Sequence, residues 1–344
     1  RFSSTIDQGL SMLSTMVDEL KTSGGRKLAG ADAFRLYDTF GFPLDLTRDV
    51  LEEQGLSVDE EEFRRRMKEQ RERARAARAA GENDAWAESM DGDTPETQFL
   101  GYDQWECTGS VAAILAQNER VGVAEAGQRV AVILDRTVFY AESGGQVGDT
   151  GVLTTASAVV RITDCRKSAT GRFLHMGEVL SGRIAMGDAV TAKVDVVRRQ
   201  AVMRNHSSAH LLQAALRKVL GDHVHQAGQL VNGERVRFDF THFAALSADE
   251  LERVEEEVNR AIFSAVPVET RVMPAEEARK TGAMALFGEK YGDRVRVVRM
   301  GDFSAEFCGG THVKNTAAIG LFHIVSESSV AAGVRRIEGA TGSN

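Results

Sequence analysis

The segment from residue 204 to residue 210 reads Arg-Asn-His-Ser-Ser-Ala-His, and a second segment, Cys308-Gly309-Gly310-Thr311-His312, lies far along the chain. Residues four positions apart share one face of a helix, so His206 and His210 can offer their imidazoles to a single point. Cys308 and His312 repeat that spacing. The glycine pair between them predicts a turn or a helix start, where the backbone can come close to a ligand. These two motifs predict where the chemistry of the protein lies.

Three imidazoles and one thiolate form a ligand set typical of zinc, with borderline-soft nitrogen and sulfur donors in tetrahedral number. Each motif alone is a weak signal, because a histidine pair at helical spacing is common on surfaces and in cores. The chain has only three Cys and eight His, however, so the two motifs together indicate a metal or catalytic site. The signature is not that of a zinc protease, which needs a glutamate directly after the first histidine, where this chain has Ser207.

The composition is that of an ordinary soluble globular protein, with 42% hydrophobic and 27% charged residues among 344. The formal net charge of −8 does not favour a nucleic-acid binder, so any such surface must be local. The three cysteines are far apart and odd in number, which argues against a disulfide framework and predicts a cytoplasmic location. We expect no membrane partner, since no apolar run approaches a membrane span. The chain starts at Arg1 and runs directly into helical periodicity, so we expect a piece of a longer protein.

Residues 1–80 are predicted to be helical, with an apolar stripe of 3.6-residue period that ends at Gly24-Gly25. Asp59 and Glu62 predict the start of a long helix that reaches about Ala80. This helix is rich in arginine, and the sequence leaves two readings open for it, a solvated face or a surface that contacts phosphate. Under the second reading Arg64, Arg65 and Arg66 are candidate phosphate-contacting residues. Residues 81–96 are polar and rich in turn formers, which predicts a linker.

Residues 97–196 carry short runs of β-forming residues separated by Gly and Asp turns, which predicts a small β-barrel or sandwich. Within this region the segment Ser143–Asp149 is dense in glycine. Such a segment either makes a tight turn or lets the backbone approach a phosphate or sugar. Under the second alternative Gly144, Gly145 and Gly148 are candidate residues for contact with a phosphate or sugar.

Residues 197–344 are predicted to form an α+β domain, and the whole chain is therefore assigned to the α+β class. A helix over about Arg198–Leu220 carries the first histidine pair, and a second helix is predicted over Ala248–Phe263. Strands are predicted over Val236–Phe240, Val268–Val272, Val295–Arg299 and Phe322–Val325.

Three segments of this region resemble the editing domain of the alanyl-tRNA synthetase family. They are Arg204–His210, Asp302–Val313 and Gly333–Glu338. The editing domain of bacterial threonyl-tRNA synthetases and the free-standing AlaX proteins share this core, and Ser143–Asp149 resembles the barrel element of the alanyl and AlaX branches. Phe34–Asp45 resembles the tRNA-recognising middle region of the alanyl enzymes, which AlaX proteins lack. The resemblance covers essentially the whole chain.

The resemblance implies that this chain hydrolyses the ester that joins a wrong amino acid, serine or glycine, to the acceptor end of alanine tRNA. It implies one zinc ion per chain, held by His206, His210, Cys308 and His312, with Cys308, His206 and His210 as the catalytic group. Gln226 matches a family position that lines the substrate pocket. The resemblance also makes tRNA the expected partner of the candidate contact residues Arg64, Arg65, Arg66, Gly144, Gly145 and Gly148. The parent protein would ligate alanine to tRNA using ATP. We expect the domain for that reaction to be absent from this chain, and we therefore expect no nucleotide here and a monomer.

The residues themselves leave the role of the metal open. Four simultaneous protein ligands close the tetrahedron and make a zinc ion structural, whereas catalysis needs an open or fifth position. A metal-free His/Cys site that holds water is an alternative. Two other functions remain as well: a tRNA-binding module with a purely structural zinc, and a standalone hydrolase of the AlaX type.

Overall fold

The computed structural model describes residues 2–40, 44–67, 69, 94–117, 119–285, 292–331 and 333–342. The chain divides into two compact units, residues 1–85 and 86–344. The predicted linker over 81–96 falls almost entirely outside the described residues, so its boundaries stay a prediction. None of the described helices is long and apolar enough to cross a membrane.

The first unit is built from helices around a small apolar core. Its elements are α1 (Phe2–Thr22), β1 (Lys27–Leu28), α2 (Gly30–Phe40), α3 (Leu44–Glu52), β2 (Ser57–Val58) and a helix, α4, over 60–67. Strands β1 and β2 pair in parallel. Leu13, Val17, Leu36 and Leu51 are buried at the centre. The Asp59 carboxylate accepts a hydrogen bond from the Glu62 N–H at 3.1 Å and so caps α4 as predicted. The predicted extension of this helix to Ala80 lies outside the described residues.

The second unit begins with a closed barrel of six antiparallel strands. These strands are β4 (Glu106–Ala116), β7 (Arg129–Leu134), β9 (Gly151–Thr154), β10 (Ala158–Lys167), β11 (Phe173–Ala185) and β12 (Ala189–Val194). They follow the order β10-β9-β12-β4-β7-β11, and pairing of β10 with β11 closes the ring, which leaves the barrel without open edges. Two short strands pair with barrel strands, β5 (Glu119–Val121) with β4 and β6 (Val123–Glu125) with β11. Strands β3 (Gln98–Phe99) and β8 (Arg136–Thr137) form a separate parallel pair. Of the predicted alternatives, the barrel is therefore correct and the sandwich is wrong.

His175 lies fully buried inside this barrel and is held in one neutral tautomer. Its Nδ1 is 2.8 Å from the Val132 carbonyl, which can only accept a hydrogen bond, so Nδ1 carries the proton. Its Nε2, 2.7 Å from Thr137 Oγ1, then accepts from that hydroxyl, and Thr137 Oγ1 in turn accepts from the Phe139 N–H. Burial lowers the pKa of His175 to about 4.

This buried histidine predicts a loss of stability in acid. The unfolded chain takes up a proton near pH 6.5 and the native state only near pH 4, so stability falls as the pH drops through that interval, by up to about 3 kcal/mol. We expect His175→Gln, which cannot titrate, to show a shallower decline in the free energy of unfolding between pH 7 and pH 5 than the parent. Urea unfolding at both pH values measures this difference. Parallel declines in the two proteins would assign the acid sensitivity to other groups.

A buried ion pair joins the barrel to the next helix, α5 (Val196–Leu220). The guanidinium of Arg199, in its first turns, pairs with the Asp149 carboxylate, and their side chains are 1% and 2% exposed. Arg199 also donates to the carbonyls of Gly101 and Val138, each at 2.8 Å, and Asp149 accepts from the Tyr140 N–H at 2.6 Å. Asp195 caps the helix by accepting from the Arg198 N–H. These contacts fix the direction in which α5 leaves the barrel.

The rest of the second unit packs helices against two antiparallel sheets. The helices are α5, α6 (Ala248–Phe263) and the short α7 (Ala275–Lys280). One sheet has the order β13-β14-β19-β18, formed by Gln226–Val231, Val236–Thr241, Val334–Thr341 and Phe322–Ala331 in that order. The other has the order β15-β16-β17, formed by Val268–Pro274, Arg294–Met300 and Ser304–Phe307. Apolar residues of α5 and α6 pack on Phe238, Phe240 and Phe322 of the first sheet. This mixture of helices and antiparallel strands agrees with the predicted α+β class.

The predicted helices and strands of this region are present, but strands β13, β17 and β19 and the short helix α7 were missed. Gln226, the candidate substrate-binding residue, is the first residue of β13. Gly228 interrupts the apolar alternation of β13, which weakens a strand signal. Strand β17 is only four residues long, so its pairing with β16 is a tertiary effect more than a local preference.

Candidate metal centre

The structure brings the four predicted metal ligands into one cluster. His206 and His210 come from α5, while Cys308 and His312 come from the loop that follows β17. One donor atom from each of the four side chains lies within 4.8 Å of the others. Cys308 Sγ is 3.5 Å from His206 Nε2 and 3.2 Å from His312 Nε2. This group could hold a metal ion.

The second motif lies in a loop, so the turn was the correct alternative and the helix start was wrong. The glycine at position 310 is required by the close approach of α5. A Cβ there would lie 2.1 Å from His206 Cε1, well inside any real contact. The Gly310 N–H donates to Cys308 Sγ at 3.3 Å. The Cys308-to-His312 spacing therefore resembles the helical spacing of the first motif without sharing its conformation.

Gln146 fixes the orientation and the tautomer of His206. Its Oε1 accepts from the Thr311 N–H at 2.9 Å and its Nε2 donates to Thr311 Oγ1 at 2.8 Å, which identifies the oxygen and the nitrogen of the amide. The same oxygen lies 2.7 Å from His206 Nδ1, which must therefore carry the proton. The lone pair of His206 is left on Nε2, the atom that faces Cys308. This arrangement prepares His206 to ligate a metal.

The two other histidines also have a partner for Nδ1. His210 Nδ1 is 2.9 Å from Glu306 Oε2, an ion-pair distance although the angle is not that of a good hydrogen bond. His312 Nδ1 is 3.1 Å from Ser207 Oγ, which also accepts from the Val313 N–H. Carboxylate, amide and hydroxyl partners of this kind orient metal-binding imidazoles. The donor set and its surroundings thus fit a zinc ion.

The charges of the cluster favour the deprotonated forms of Cys308 and His312 but the protonated form of His210. Burial would raise the pKa of the Cys308 thiol, but the neighbouring imidazoles His206, His312 and His210 outweigh burial and hold that pKa well below its usual range. Burial lowers the pKa of His312 to about 3, so its imidazole is neutral. Burial would also lower the pKa of His210, but Glu306 and Cys308 raise it to about 10. Metal binding would therefore release a proton from His210.

A pocket opens directly onto the cluster. Its lining includes His206, His210 and Cys308, and Gln226 with Glu306 forms part of its wall. Gln226 is half-buried at the start of β13 and also lines an adjoining cavity next to Arg217 and His225. The structure thus places the candidate substrate residue within the pocket that contains the ligand cluster.

The glycine-rich segment Ser143–Asp149 forms another part of this wall. Gly144 is exposed in the pocket lining, and a Cβ on Gly145 would lie 2.5 Å from the Gln229 carbonyl. Gly148 is buried instead, and a Cβ there would collide with the Cys165 backbone. Its position serves packing and does not support the predicted tRNA contact. The sequence analysis also overlooked Gln146, the most buried polar side chain of the segment. A polar residue with a long side chain in a glycine-rich segment could have been recognised as a candidate site residue.

The three arginines predicted to bind tRNA lie exposed on α4. Arg64 pairs with Glu60 at 2.6 Å, and Arg66 and Arg65 approach Glu62 at 3.0 and 3.9 Å. These i,i+3 and i,i+4 pairs are those of a solvated helix face, while the exposure leaves a contact to phosphate open. The later arginines of the predicted basic helix lie outside the described residues.

Two arginines near the carboxyl end of the described residues form ion pairs within the protein. Arg335 pairs with Glu327, and Arg336 makes a bidentate pair with Asp239 at 2.6 and 2.8 Å. Glu306, which the sequence analysis did not assign to the site, is the partner of His210. Glu306 and Cys308 are two positions apart, and side chains at that spacing share one face of a strand. This spacing could have suggested that Glu306 lies near the ligand cluster.

Comparison with known proteins agrees with this site. Residues 1–198 match the family model of class II (A) tRNA synthetases, and residues 295–338 match the second additional domain of threonyl and alanyl tRNA synthetases. The chain is also 53% identical to the alanine–tRNA ligase of Pelotomaculum thermopropionicum over 99% of its length. The chain belongs to the alanyl-tRNA synthetase family. The matched second domain contains Cys308 and His312, so half of the ligand cluster lies in a segment shared with the threonyl enzymes.

Two further alanine–tRNA ligases match this chain to a similar extent. The alanine–tRNA ligase of Thermoanaerobacter sp. is 50% identical and that of Bacillus subtilis 48% identical, each over 99% of this chain. The chain spans about 40% of the length of the curated relatives it matches. The family resemblance inferred from the motifs is therefore confirmed.

Proposed function

We propose that this chain carries the editing activity of an alanyl-tRNA synthetase, the hydrolysis of the ester in Ser-tRNA(Ala) or Gly-tRNA(Ala). The observation that carries the proposal is the His/Cys cluster at the inner end of an open pocket, whose ligand orientations are fixed by Gln146, Glu306 and Ser207. Hydrolysis needs a positioned water and stabilisation of a developing oxyanion. Family membership supports an ester of tRNA as the substrate.

The side chains of the pocket have separable tasks in this proposal. His206, His210, Cys308 and His312 hold the metal. A bound zinc ion would acidify a water molecule and polarise the ester carbonyl. Gln146 and Glu306 orient the imidazoles of His206 and His210. Gln226 faces the amino-acid part of the substrate from the pocket wall.

The partner in this proposal is the acceptor end of tRNA(Ala), and the protein acts in the cytoplasm as a monomer. Alanine ligation with ATP belongs to the longer protein of which this chain would be a part. We assign tRNA contacts to Gly144 on the pocket wall, to Gly145 next to it in the chain, and to Arg64, Arg65 and Arg66 on α4. The exposed positions of Gly144 and the arginines support that assignment.

A tRNA-binding module with a structural zinc is the second candidate. It is favoured by the four converging ligands, which can close a tetrahedron and leave no position for water. The two candidates differ in one measurement, the deacylation of serine-charged tRNA(Ala) by this chain. A module without hydrolytic activity would bind the tRNA and leave the ester intact.

Selectivity provides a sharper test of the editing proposal. Alanine is smaller than serine, so a pocket that admits serine cannot exclude alanine by size. A site built to hydrogen-bond the serine hydroxyl leaves a buried polar group unpaired when alanine enters, which can be worth about 10⁴-fold. We therefore expect much faster hydrolysis of Ser-tRNA(Ala) than of Ala-tRNA(Ala). Gln226→Leu should shrink that ratio or abolish serine hydrolysis without releasing metal.

The measurement is the pair of single-turnover deacylation rates for both substrates on the parent and the variant. Gln128→Leu is the matched control, because the Gln128 side chain caps a barrel turn through the Glu125 N–H and does not line the pocket. Equal rates on both substrates in the parent would refute an editing role. An unchanged ratio in Gln226→Leu, with editing intact, would remove Gln226 from the substrate pocket.

A further inference from the structure

Three consecutive carbonyl groups of the ligand loop are held by two side chains. Arg296 Nη1 donates to the carbonyls of Cys308 and Gly310, at 2.9 and 2.8 Å. The Tyr102 hydroxyl donates to the carbonyl between them, that of Gly309, at 2.7 Å. The loop Cys308-Gly309-Gly310 thus has every carbonyl bound, although two of its three residues are glycines that on their own favour many conformations.

The two side chains also support each other. The Arg296 guanidinium lies over the Tyr102 ring, 4.2 Å from its centroid. The backbone of Arg296 accepts from the Cys308 N–H at 2.9 Å, so the pairing of β16 with β17 continues one residue into the loop. The loop is therefore held by strand β16 through Arg296 and by the ring on which Arg296 stacks, that of Tyr102.

Tyr102 is itself fixed from the barrel side. Its ring packs edge-on against Phe99, with centroids 4.9 Å apart. The preceding carbonyl, that of Gly101, accepts from the buried Arg199 at 2.8 Å. Because Arg199 lies on the same helix as His206 and His210, one set of contacts links the helix, the ring of Tyr102 and the cysteine loop.

We propose that Arg296 and Tyr102 are positioning residues that hold Cys308 at ligand distance from the two helix histidines and so set the affinity of the site for a divalent metal. Arg296 bonds two carbonyls through Nη1 while the plane of its guanidinium lies over the ring. A lysine ammonium is a point charge on a flexible stem and has no plane to stack, so it would hold the loop less firmly. Fixing the loop before the metal arrives removes the entropy cost of ordering two glycines on binding. The kinetic consequence rests on the proposed hydrolysis, whereas the effect on metal affinity does not.

The experiment uses the full chain, stripped of metal and titrated with Co²⁺, whose absorption reports tetrahedral thiolate coordination. The variants are Arg296→Lys and Tyr102→Phe, each of which keeps most of the size of the parent side chain. We expect each to weaken Co²⁺ binding by about 10- to 100-fold, the range for residues that orient metal ligands, and to shift the thiolate-to-cobalt band. Arg294→Lys is the matched control. It lies on the same strand, but its side chain donates to the Val272 carbonyl, away from the loop.

Two further readouts separate positioning from a general loss of structure. If Arg296→Lys fails to fold, as judged by its circular dichroism, Tyr102→Phe decides the matter, because it removes only one hydroxyl. In the deacylation assay both variants should lower kcat with little change in KM, since the loop does not carry the tRNA contacts assigned above. Parental Co²⁺ affinity and spectrum in Tyr102→Phe and in folded Arg296→Lys would overturn the proposal. A parent that binds Co²⁺ but does not deacylate would overturn only the proposed function.

Discussion

Cys308→Ala is expected to lower the rate of Ser-tRNA(Ala) hydrolysis by about 10³-fold or more and to leave less than one zinc per chain. The thiolate is the one sulfur ligand of the cluster, and the imidazoles His206, His312 and His210 keep it deprotonated. Removing it takes away a ligand and a negative charge that offsets the metal. Deacylation rates and elemental analysis of the same preparations measure the two effects.

Cys107→Ala serves as the control, since Cys107 is buried in the barrel core and belongs to no ligand group. It should retain zinc and activity. Treating the parent with a chelator should mimic the Cys308 variant, and added zinc should restore the parent but not the variant. If metal-free parent protein keeps full activity, the zinc reading is wrong and a His/Cys site that holds water directly takes its place. A Cys308→Ala protein that edits at the parental rate would remove the cluster from catalysis altogether.

Asp149→Asn is expected to lower the free energy of unfolding of the second unit by about 3–5 kcal/mol. The substitution keeps the shape of the side chain but leaves the Arg199 charge, 1% exposed, without its counter-charge. That charge cannot be hydrated where it lies, because the barrel and α5 enclose it. Urea unfolding of metal-loaded protein, followed by circular dichroism, gives the difference.

Glu178→Gln is the matched control, because Glu178 pairs with Arg161 across the outer surface of the barrel, where the two side chains are 40% and 55% exposed. Its effect should stay within about 1 kcal/mol, since water screens the pair and hydrates either partner alone. Equal losses in the two variants would show that the buried pair contributes no more than a surface pair. The Asp149 variant should also weaken metal binding, because Arg199 anchors the helix of His206 and the turn of Tyr102.

The sequence determined the features that depend on local periodicity. The spacing of His206 and His210 needed only the geometry of a helix, and α5 supplies it. Helix α6 has the bounds that were predicted, and Ser247 and Glu250 form a capping box at its start. The short runs of β-forming residues between Gly and Asp turns in 97–196 predicted the strands of the barrel, since strand preference and turn residues act over a few neighbouring positions.

The tertiary structure decided which distant residues meet. Closure of the barrel through β10 and β11, and the approach of Gln146 to His206, depend on pairings between segments far apart in the chain, which local periodicity does not encode. The same holds for Glu306 beside His210 and for Arg296 and Tyr102 around the cysteine loop. The sequence by itself was therefore sufficient to predict the four ligands. Which residues orient them was determined only by the packing of helix, barrel and loop, because residues far apart in the chain come into contact only when the core forms.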